Sequence, residues 1–243
     1  MKEIALVTGA NKGIGLEVSS VLAQNGMKVL MGARSRERGE KAVSGLVQKG
    51  LDVELILLDV ADEGSRTAAA KLIGDRFGKL DALVNNAAVL PVEEGLGSSK
   101  VLEVRPEVLR ETFEINFFGL VDLTQKLIPL LRKSSNARIV NVSSILGSLR
   151  RALERESGGP TDTPFAYNAS KAAVNSFTIH LAGALRPEGI RVNSVHPGWV
   201  QTDMGGAQAP LSIAEGAKTI IDLVLHDKSS NSRFLHLGEE LPW

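Results

Sequence analysis

The only tyrosine of this 243-residue chain, Tyr167, precedes Lys171 by four positions in the segment YNASK. Small and apolar residues recur at helical spacing from Thr163 to Leu185, which predicts a helix, so the two side chains share one of its faces. A phenol with a pKa of about 10 is a poor acid or base at neutral pH, but a nearby cation favours the phenolate and lowers that pKa. The pair is therefore predicted to form a proton donor or base.

A second hydroxyl group, that of Ser144, closes the segment NVSS at the end of a predicted strand. Ligands of parallel α/β sheets bind at the carboxyl ends of the strands, so Ser144 is placed to donate a hydrogen bond to a carbonyl oxygen. Taken alone, Ser144 is better interpreted as a turn serine, and the Tyr–Lys pair as an ordinary helix pair. Their combination with a glycine-rich loop makes the pattern specific.

That loop is TGANKGIG, Thr8 to Gly15, between the first predicted strand and a helix. Gly9 permits a tight turn, Gly13 leaves room for a phosphate, and Gly15 lets the helix pack closely on the sheet. The helix amino end then offers N–H groups and a partial positive charge to a pyrophosphate. A ligand-free glycine turn is the alternative, but the strand and helix on either side favour dinucleotide binding.

The end of the second predicted strand indicates which dinucleotide is bound. NAD-binding proteins place an acidic residue there to hold the ribose hydroxyl, whereas this chain reads GARSRER from Gly32. Arg34 and Arg38, with Lys12 of the glycine loop, are predicted to surround a 2′-phosphate. Solvated cations are the alternative, but basic groups at a helix amino end oppose the helix dipole. The sequence thus predicts NADP(H), whose oxidised nicotinamide would add positive charge near Tyr167.

Short apolar runs alternate with stretches of helical spacing along the whole chain. This predicts an α/β protein with a doubly wound parallel sheet, the Rossmann fold, in which about seven strands carry helices on both faces. No linker divides the sequence, so residues 1–243 are predicted to form one NADP-binding and catalytic domain. The predicted strands are Ile4 to Val7, Lys28 to Met31, Val53 to Leu58, Ala82 to Val84, Ile139 to Val142, Arg191 to Val195 and Phe234 to Leu237.

Composition excludes several classes of function. Lys plus Arg and Asp plus Glu number 28 each, so no overall field attracts nucleic acid or an anionic membrane. The absence of cysteine excludes disulfides, thiolate nucleophiles and Cys-ligated metals, and it is compatible with a cytoplasmic location. No signal peptide or long apolar run is present. The histidines lie far apart in sequence without ligand spacing, so no metal is expected: His180, His196, His226 and His236.

At this point the sequence resembles the short-chain dehydrogenases/reductases, the branch with TGxxxGxG and YxxxK motifs. The resemblance covers essentially the whole chain, and its motifs occur in the family's order. They are TGANKGIG, LDV (residues 58–60), VNNAA (84–88), INFFG (115–119), NVSSILG (141–147), YNASK (167–171) and VHPGWVQTDM (195–204).

The resemblance implies a role for each matching residue. Ser144 would orient the substrate carbonyl, Tyr167 would donate the proton, and Asn116 would hold a water that links Lys171 to solvent. Asp59 and Val60 would flank the adenine, and Val200 and Thr202 would contact the carboxamide of the nicotinamide. The expected cofactor-binding set is Gly9, Asn11, Lys12, Gly13, Ile14, Gly15, Arg34, Arg38, Asp59, Val60, Asn86, Tyr167, Lys171, Val200 and Thr202.

Two features depart from the family pattern. Ala88 replaces the usual glycine of the VNNAA motif, a change between small residues. The segment from Ser144 to Tyr167 is longer than in typical tetrameric members, and its RRALERESGGP stretch, Arg150 to Pro160, resembles a short form of the insertion in monomeric carbonyl reductases. In the family this insertion covers a helix face used for tetramer packing, so a monomer is expected. A solvated helical loop without consequence is the alternative.

The resemblance and the residues together predict an NADPH-dependent carbonyl reductase acting on a small-molecule aldehyde or ketone. A 3-oxoacyl or secondary-metabolite ketoreductase or alcohol dehydrogenase of the same family is the closest alternative. A non-catalytic NADP(H)-sensing protein is an alternative of a different class. Substrate choice is expected to lie in the loops, namely Val89 to Arg105, Arg150 to Pro164, Gly205 to Pro210, and in Trp199.

Overall fold

A computed structural model describes residues 2–92, 101–156 and 164–243. Strands and helices alternate as the sequence predicts. The strands are β1 (Ile4–Thr8), β2 (Lys28–Ala33), β3 (Val53–Leu57), β4 (Ala82–Asn85), β5 (Arg138–Val142), β6 (Arg191–Val195), β7 (Phe234–His236) and β8 (Glu239–Glu240). The α-helices are α1 (Gly13–Gln24), α2 (Arg36–Val47), α3 (Glu63–Phe77), α4 (Pro106–Phe113), α5 (Gly119–Leu131), α6 (Leu149–Glu156), α7 (Phe165–Leu185) and α8 (Ile213–Leu225).

The strands form one sheet in the order β3-β2-β1-β4-β5-β6-β7-β8. Neighbours from β3 to β7 pair in parallel, and β8 pairs antiparallel with β7. The doubly wound Rossmann fold predicted from the sequence is confirmed, with eight strands rather than about seven. The order reverses between β1 and β4, which is the point where such sheets bind ligands.

Two hydrophobic cores cover the two faces of the sheet. Successive strand residues point to opposite sides, so Leu6 joins one core and Val7 the other. The first core packs α3, α5 and α7 against the sheet, and the second packs α1, α2 and α8. Burial on both faces explains the continuous apolar runs of the strands.

Local signals set several helix boundaries. The hydroxyl of Ser35 accepts a hydrogen bond from Arg38 N at the start of α2, and Asp62 caps α3 in the same way. Ser212 and Glu215 form a reciprocal capping box at the start of α8. Helix α7 begins at Phe165, after Pro164, whereas the sequence places its start at Thr163, which lies outside the described residues.

Several elements near the site were not predicted. A π-helical turn, Glu114–Phe118, joins α4 to α5, and a 3-10 turn, Ile145–Gly147, follows β5. Helix α6 occupies the first part of the long segment before Tyr167; residues 157–163 of that segment lie outside the described residues, as do residues 93–100 of the loop that starts at Val89. In the part of the chain that is described, no helix combines the length and apolarity needed to cross a bilayer.

Candidate active site

A cavity of about 690 Å³ opens at the carboxyl edge of the sheet. It contains most of the residues that the sequence predicts for cofactor binding. Those that line it are Gly9, Asn11, Lys12, Gly13, Ile14, Arg34, Arg38, Asp59, Val60, Asn86, Tyr167, Lys171 and Thr202. Gly15, Asn116, Ser144 and Val200 are not among its lining residues. Strand order and the position of the motifs at strand ends therefore bring these distant segments into one site.

Ser144 lies beside Tyr167 and Lys171, two of the residues that line this cavity. The side chains of Ser144 and Tyr167 are hydrogen-bonded to each other. Lys171 is only 2% exposed, its Nζ donates to the carbonyl of Val142 at 2.8 Å, and it lies over the Tyr167 ring, 5.6 Å from the centroid. The three groups thus share one cluster between the end of β5 and the first turns of α7, in which Ser144 and Lys171 are buried and Tyr167 is partly exposed.

Burial shifts the pKa values of this cluster in opposite directions. It raises the pKa of Tyr167 to about 12, although the hydrogen bond with Ser144 acts to lower it. It lowers the pKa of Lys171 to about 8, because an ammonium loses its hydration in the interior. The direction for Tyr167 is opposite to the lowering that the sequence predicts. Loss of hydration around the phenolate outweighs the effect expected from the neighbouring cation.

The 3-10 turn after β5 positions Ser144 against α7. The Ser144 hydroxyl accepts a hydrogen bond from Leu146 N at 3.2 Å, which caps the turn. At Gly147 a side chain would begin 2.6 Å from the backbone of Lys171. The close approach of these two backbones keeps Ser144 beside Tyr167.

Asn116 is fully buried in the π-helical turn. Its amide accepts from Val89 N at 2.8 Å and donates to Val89 O at 2.9 Å and to Ser170 Oγ at 3.1 Å. Ser170 in turn donates to the carbonyl of Tyr167 at 2.7 Å. The Asn116 side chain therefore ties the Val89 segment to α7, and its water-holding role stays a prediction. A π turn is common at functional sites, although no sequence pattern marks it here.

The glycine loop has the geometry that its motif predicts. Gly9 has a φ of +65°, which non-glycine residues rarely adopt. A side chain on Gly15 would begin 2.5 Å from the carbonyl of Gly9 and 2.6 Å from Asn86 Nδ2. Asn86 Nδ2 also donates to Thr8 O at 2.9 Å. The amino end of α1 therefore packs directly on the loop and on the end of β4.

Three cations were predicted to surround a 2′-phosphate. Arg34 and Arg38 line the cavity, are exposed, and form no ion pair within the described residues. Lys12 differs from them, because its Nζ pairs with Asp203 at 2.5 Å. Two of the three cations therefore have no ion-pair partner in the part of the chain that the structure describes.

Asp59 and Val60 line the same end, at the exit of β3. The Val60 carbonyl accepts from Arg66 Nη1 at 2.6 Å, and Arg66 pairs with Asp122 of α5 at 2.5 Å. The Asp59 carboxylate accepts from Ala61 N at 3.0 Å. The buried Arg66 therefore fixes the loop after β3. Arg66 and Asp122 lie far apart in sequence, so the sequence analysis did not predict this contact.

The segment after β6 forms the second wall of the cavity. Thr202 lines it, but Val200 is 4% exposed, and its side chain packs against Gly216 of α8. The structure therefore gives the Val200 side chain a packing position rather than a place in the lining. Trp199 is half-exposed and donates from Nε1 to Gly205 O at 2.7 Å.

Two histidines that are distant in sequence meet in the structure. The rings of His196 and His236 lie 4.8 Å apart between centroids, at the ends of β6 and β7. Among the described residues, no group of three or more His, Asp, Glu or Cys side chains is arranged to hold a metal ion. The histidine pair is thus a contact between two strand ends.

Comparison with known proteins agrees with this geometry. Residues 3–210 match the family model described as short chain dehydrogenase. The chain is 34% identical to (+)-neomenthol dehydrogenase of Arabidopsis thaliana over 91% of this chain and 90% of that protein. It is 32% identical to salutaridine reductase of Papaver somniferum, over 99% and 96%. The crystal structure of NADPH-bound carbonyl reductase from chicken fatty liver matches with a TM-score of 0.86 and 27% identity, over 100% of both chains.

Proposed function

Because this chain belongs to the short-chain dehydrogenase/reductase family, we propose that it is an NADPH-dependent carbonyl reductase. The observation that carries the proposal is the hydrogen-bonded pair of Ser144 and Tyr167, with Lys171 buried beside it. Tyr167 and Lys171 line the cavity that the glycine loop also lines. Two hydroxyl donors and a cation that lie close together can stabilise a carbonyl oxygen as it gains negative charge.

The residues of the cavity fit an NADP-type cofactor. The volume of about 690 Å³ is ample for an extended ligand, and Gly9 and Gly13 present backbone without side chains to it. Arg34 and Arg38 line the cavity near the end of β2 and offer guanidinium groups that form no ion pair within the described residues. When bound, NADPH supplies the hydride.

The residues of this chain supply the proton and its electrostatic setting. With a pKa of about 12, Tyr167 keeps its proton at neutral pH and can donate it to the carbonyl oxygen as charge develops there. Ser144 donates a hydrogen bond to the same oxygen and orients it. Lys171 holds its ammonium beside the ring below a pH of about 8 and favours the phenolate that forms.

The proposal is tested by replacing Tyr167 with Phe, which keeps the ring and removes the hydroxyl. We expect reduction of a panel of aldehydes, ketones, diketones and quinones, followed by NADPH absorbance, to fall at least about 100-fold, the usual size of a lost acid–base group. The Kd for NADPH, measured by fluorescence, should change little. Ser176→Ala removes an exposed hydroxyl from the same helix and should leave turnover intact. Turnover retained by Tyr167→Phe contradicts the proposed role.

Alternative functions use the same site. The relatives named (+)-neomenthol dehydrogenase and salutaridine reductase favour, as the second candidate, a ketoreductase or alcohol dehydrogenase of secondary metabolism. Alcohols assayed with NADP⁺ beside ketones assayed with NADPH distinguish the two directions. NADPH binding without turnover of any substrate would instead favour a non-catalytic sensor. We also propose that the chain acts as a single domain and as a cytoplasmic monomer.

A further inference from the structure

A buried arginine holds the loop between β3 and α3, where the adenine of the cofactor is expected to lie. Arg66 belongs to the first turn of α3 and is 6% exposed. Its Nε donates to Asp122 Oδ2 of α5 at 2.5 Å, and its Nη1 donates to the carbonyl of Val60 at 2.6 Å. Val60 lines the cavity, whereas Arg66 lies behind it. Arg66 therefore connects α5 to the cavity wall.

Stability alone is a poor explanation for an arginine at this position. Burial removes the guanidinium group from water, and a hydrophobic side chain of similar volume often stabilises a protein as well as a buried ion pair does. A cation in the first turn of a helix also opposes the helix dipole. The contact with Val60 points instead to a role at the cavity.

The Val60 carbonyl is enclosed on the side of α5. A side chain on Gly119, the first residue of α5, would begin 1.9 Å from the Val60 oxygen, so the chain has room there for glycine but not for a larger residue. Val60 itself is 9% exposed. Without Arg66, this buried oxygen would lose a charged hydrogen-bond donor, and the loop would have to move to satisfy it.

The peptide unit that Arg66 holds also holds the Asp59 side chain. The N–H of this peptide belongs to Ala61 and donates to Asp59 Oδ1 at 3.0 Å. A peptide unit is planar, so a hydrogen bond to its carbonyl fixes the direction of its N–H. The cation on the carbonyl also polarises the peptide and strengthens the N–H as a donor. Arg66 thereby orients the carboxylate of Asp59, which lines the cavity.

An oriented carboxylate can distinguish one purine base from another. An ionised carboxylate accepts hydrogen bonds and donates none. Adenine carries an amino group at its six-position, which donates, whereas hypoxanthine carries a carbonyl oxygen there, which accepts. A fixed Asp59 carboxylate therefore binds the first base and disfavours the second.

We propose that Arg66 is a positioning residue that orients Asp59 toward the amino group of adenine and so makes dinucleotide binding selective for that base. The inference rests on the proposed function in one respect, because it requires that the cavity bind a dinucleotide. It requires no turnover, so binding measurements test it separately from the reductase activity.

The test compares NADPH with reduced nicotinamide hypoxanthine dinucleotide phosphate by fluorescence titration of the intact protein. The two ligands share the nicotinamide and all phosphates, so the ratio of their Kd values reports on the base alone. We expect the wild type to bind NADPH about tenfold more tightly, the value of one hydrogen bond to a charged group. Arg66→Met should weaken NADPH binding and reduce the ratio to about twofold or less, because the carboxylate is no longer oriented.

Two further variants accompany Arg66→Met. Arg76→Met is the matched control, since Arg76 is also an arginine of α3 but is half-exposed and pairs with Glu54 of β3. It should leave the ratio at its wild-type value. Asp122→Asn weakens the anchor of Arg66 without emptying a buried position, and it should lower the ratio in the same direction by a smaller factor. If Arg66→Met does not fold, Asp122→Asn carries the test.

A ratio that stays at the wild-type value in Arg66→Met, or in Asp122→Asn where that variant carries the test, overturns the proposal. Equal weakening of both ligands has the same meaning, since Arg66 would then support the fold without orienting Asp59. A wild type that binds the two ligands equally also overturns it. A protein that binds NADPH selectively but reduces no carbonyl compound contradicts the proposed function alone, and a protein that binds neither ligand contradicts both.

Discussion

Burial shifts the pKa values of Tyr167 and Lys171 in opposite directions, so the two neighbouring residues have different roles in proton transfer. The phenol, with its pKa raised to about 12, stays protonated across the physiological range. The ammonium, with its pKa lowered to about 8, is close to losing its proton under the same conditions. Tyr167 is therefore a ready donor, and Lys171 is the group of the pair that responds to pH near neutrality. The sequence showed that the two residues are neighbours, but the signs of their shifts depend on how deeply the fold buries them.

Lys171 predicts a pH dependence of stability in the cofactor-free protein. Its folded pKa of about 8 lies below the ordinary value of 10.5, so the unfolded chain binds more protons between these values, and stability rises with pH through that window. Below pH 8, burial of the charged Lys171 side chain lowers the free energy of unfolding by about 3 kcal/mol, at about 1.4 kcal/mol per pKa unit. Urea denaturation of the wild type and of Lys171→Met measures it as the difference between their free energies of unfolding.

Below pH 8, Lys171→Met should have the larger free energy of unfolding. As the pH approaches 10.5, the wild type should gain stability relative to the variant. Exposed lysines titrate alike in both proteins and cancel in the comparison. A difference that stays constant from pH 7 to 10.5 would show that the folded protein does not depress this pKa. The opposite trend is expected above pH 10, where the raised pKa of Tyr167 makes stability fall with pH in both proteins.

At the scale of elements, the site depends on how closely α1 approaches the strand ends. A Cβ at Gly15 would begin 2.5 Å from Gly9 O and 2.6 Å from Asn86 Nδ2, well inside contact distance. We expect Gly15→Ala to push α1 away from the loop, to lower stability by about 1–3 kcal/mol, as in other overpacked sites, and to weaken NADPH binding. Denaturation and fluorescence titration measure the two effects.

Gly45 of α2 provides the matched control for that substitution. It lies inside a helix, is exposed, and has nothing within 4 Å of the position where a side chain would begin. Gly45→Ala should stabilise the protein by about 0.5–1 kcal/mol, because alanine loses less conformational freedom in a helix, and should leave NADPH binding unchanged. If Gly15→Ala behaved like Gly45→Ala, the close packing of α1 on the loop would not matter for binding.

Some elements of the fold and the site could be predicted from the sequence, and others could not. The strands and the glycine loop follow from local patterns, since apolar runs and glycine spacing act within a few residues. The π turn around Asn116 has no such pattern. The Lys12–Asp203 pair and the contact of His196 with His236 join distant segments, so only the sheet order brings them together. Packing of Val200 on α8, rather than into the cavity, depends on tertiary structure in the same way.

At the scale of the whole molecule, the segment before Tyr167 is connected to the last residues of the chain. Arg150 N, at the start of α6, donates to Trp243 O at 3.2 Å, and Ser148 Oγ donates to Pro242 O at 2.7 Å. The Trp243 ring stacks on Phe234 of β7, with centroids 5.6 Å apart. The described part of this segment therefore packs on its own chain, at the edge of the sheet, which supports the proposed monomer.

The exposed apolar side chains of α6 could form an interface between copies of the chain, so they provide a test of the proposed monomer. Leu149 and Leu153 lie four residues apart on this helix and are 69% and 63% exposed. Two leucines make a small patch, whereas stable protein interfaces bury roughly 800 Å² on each partner. We therefore expect light scattering after size exclusion to give a mass near 25.9 kDa at all concentrations tested, both for the wild type and for a Leu149→Glu, Leu153→Glu variant. A dimer or tetramer of the wild type would contradict the monomer, and its dissociation in the variant would identify α6 as the interface.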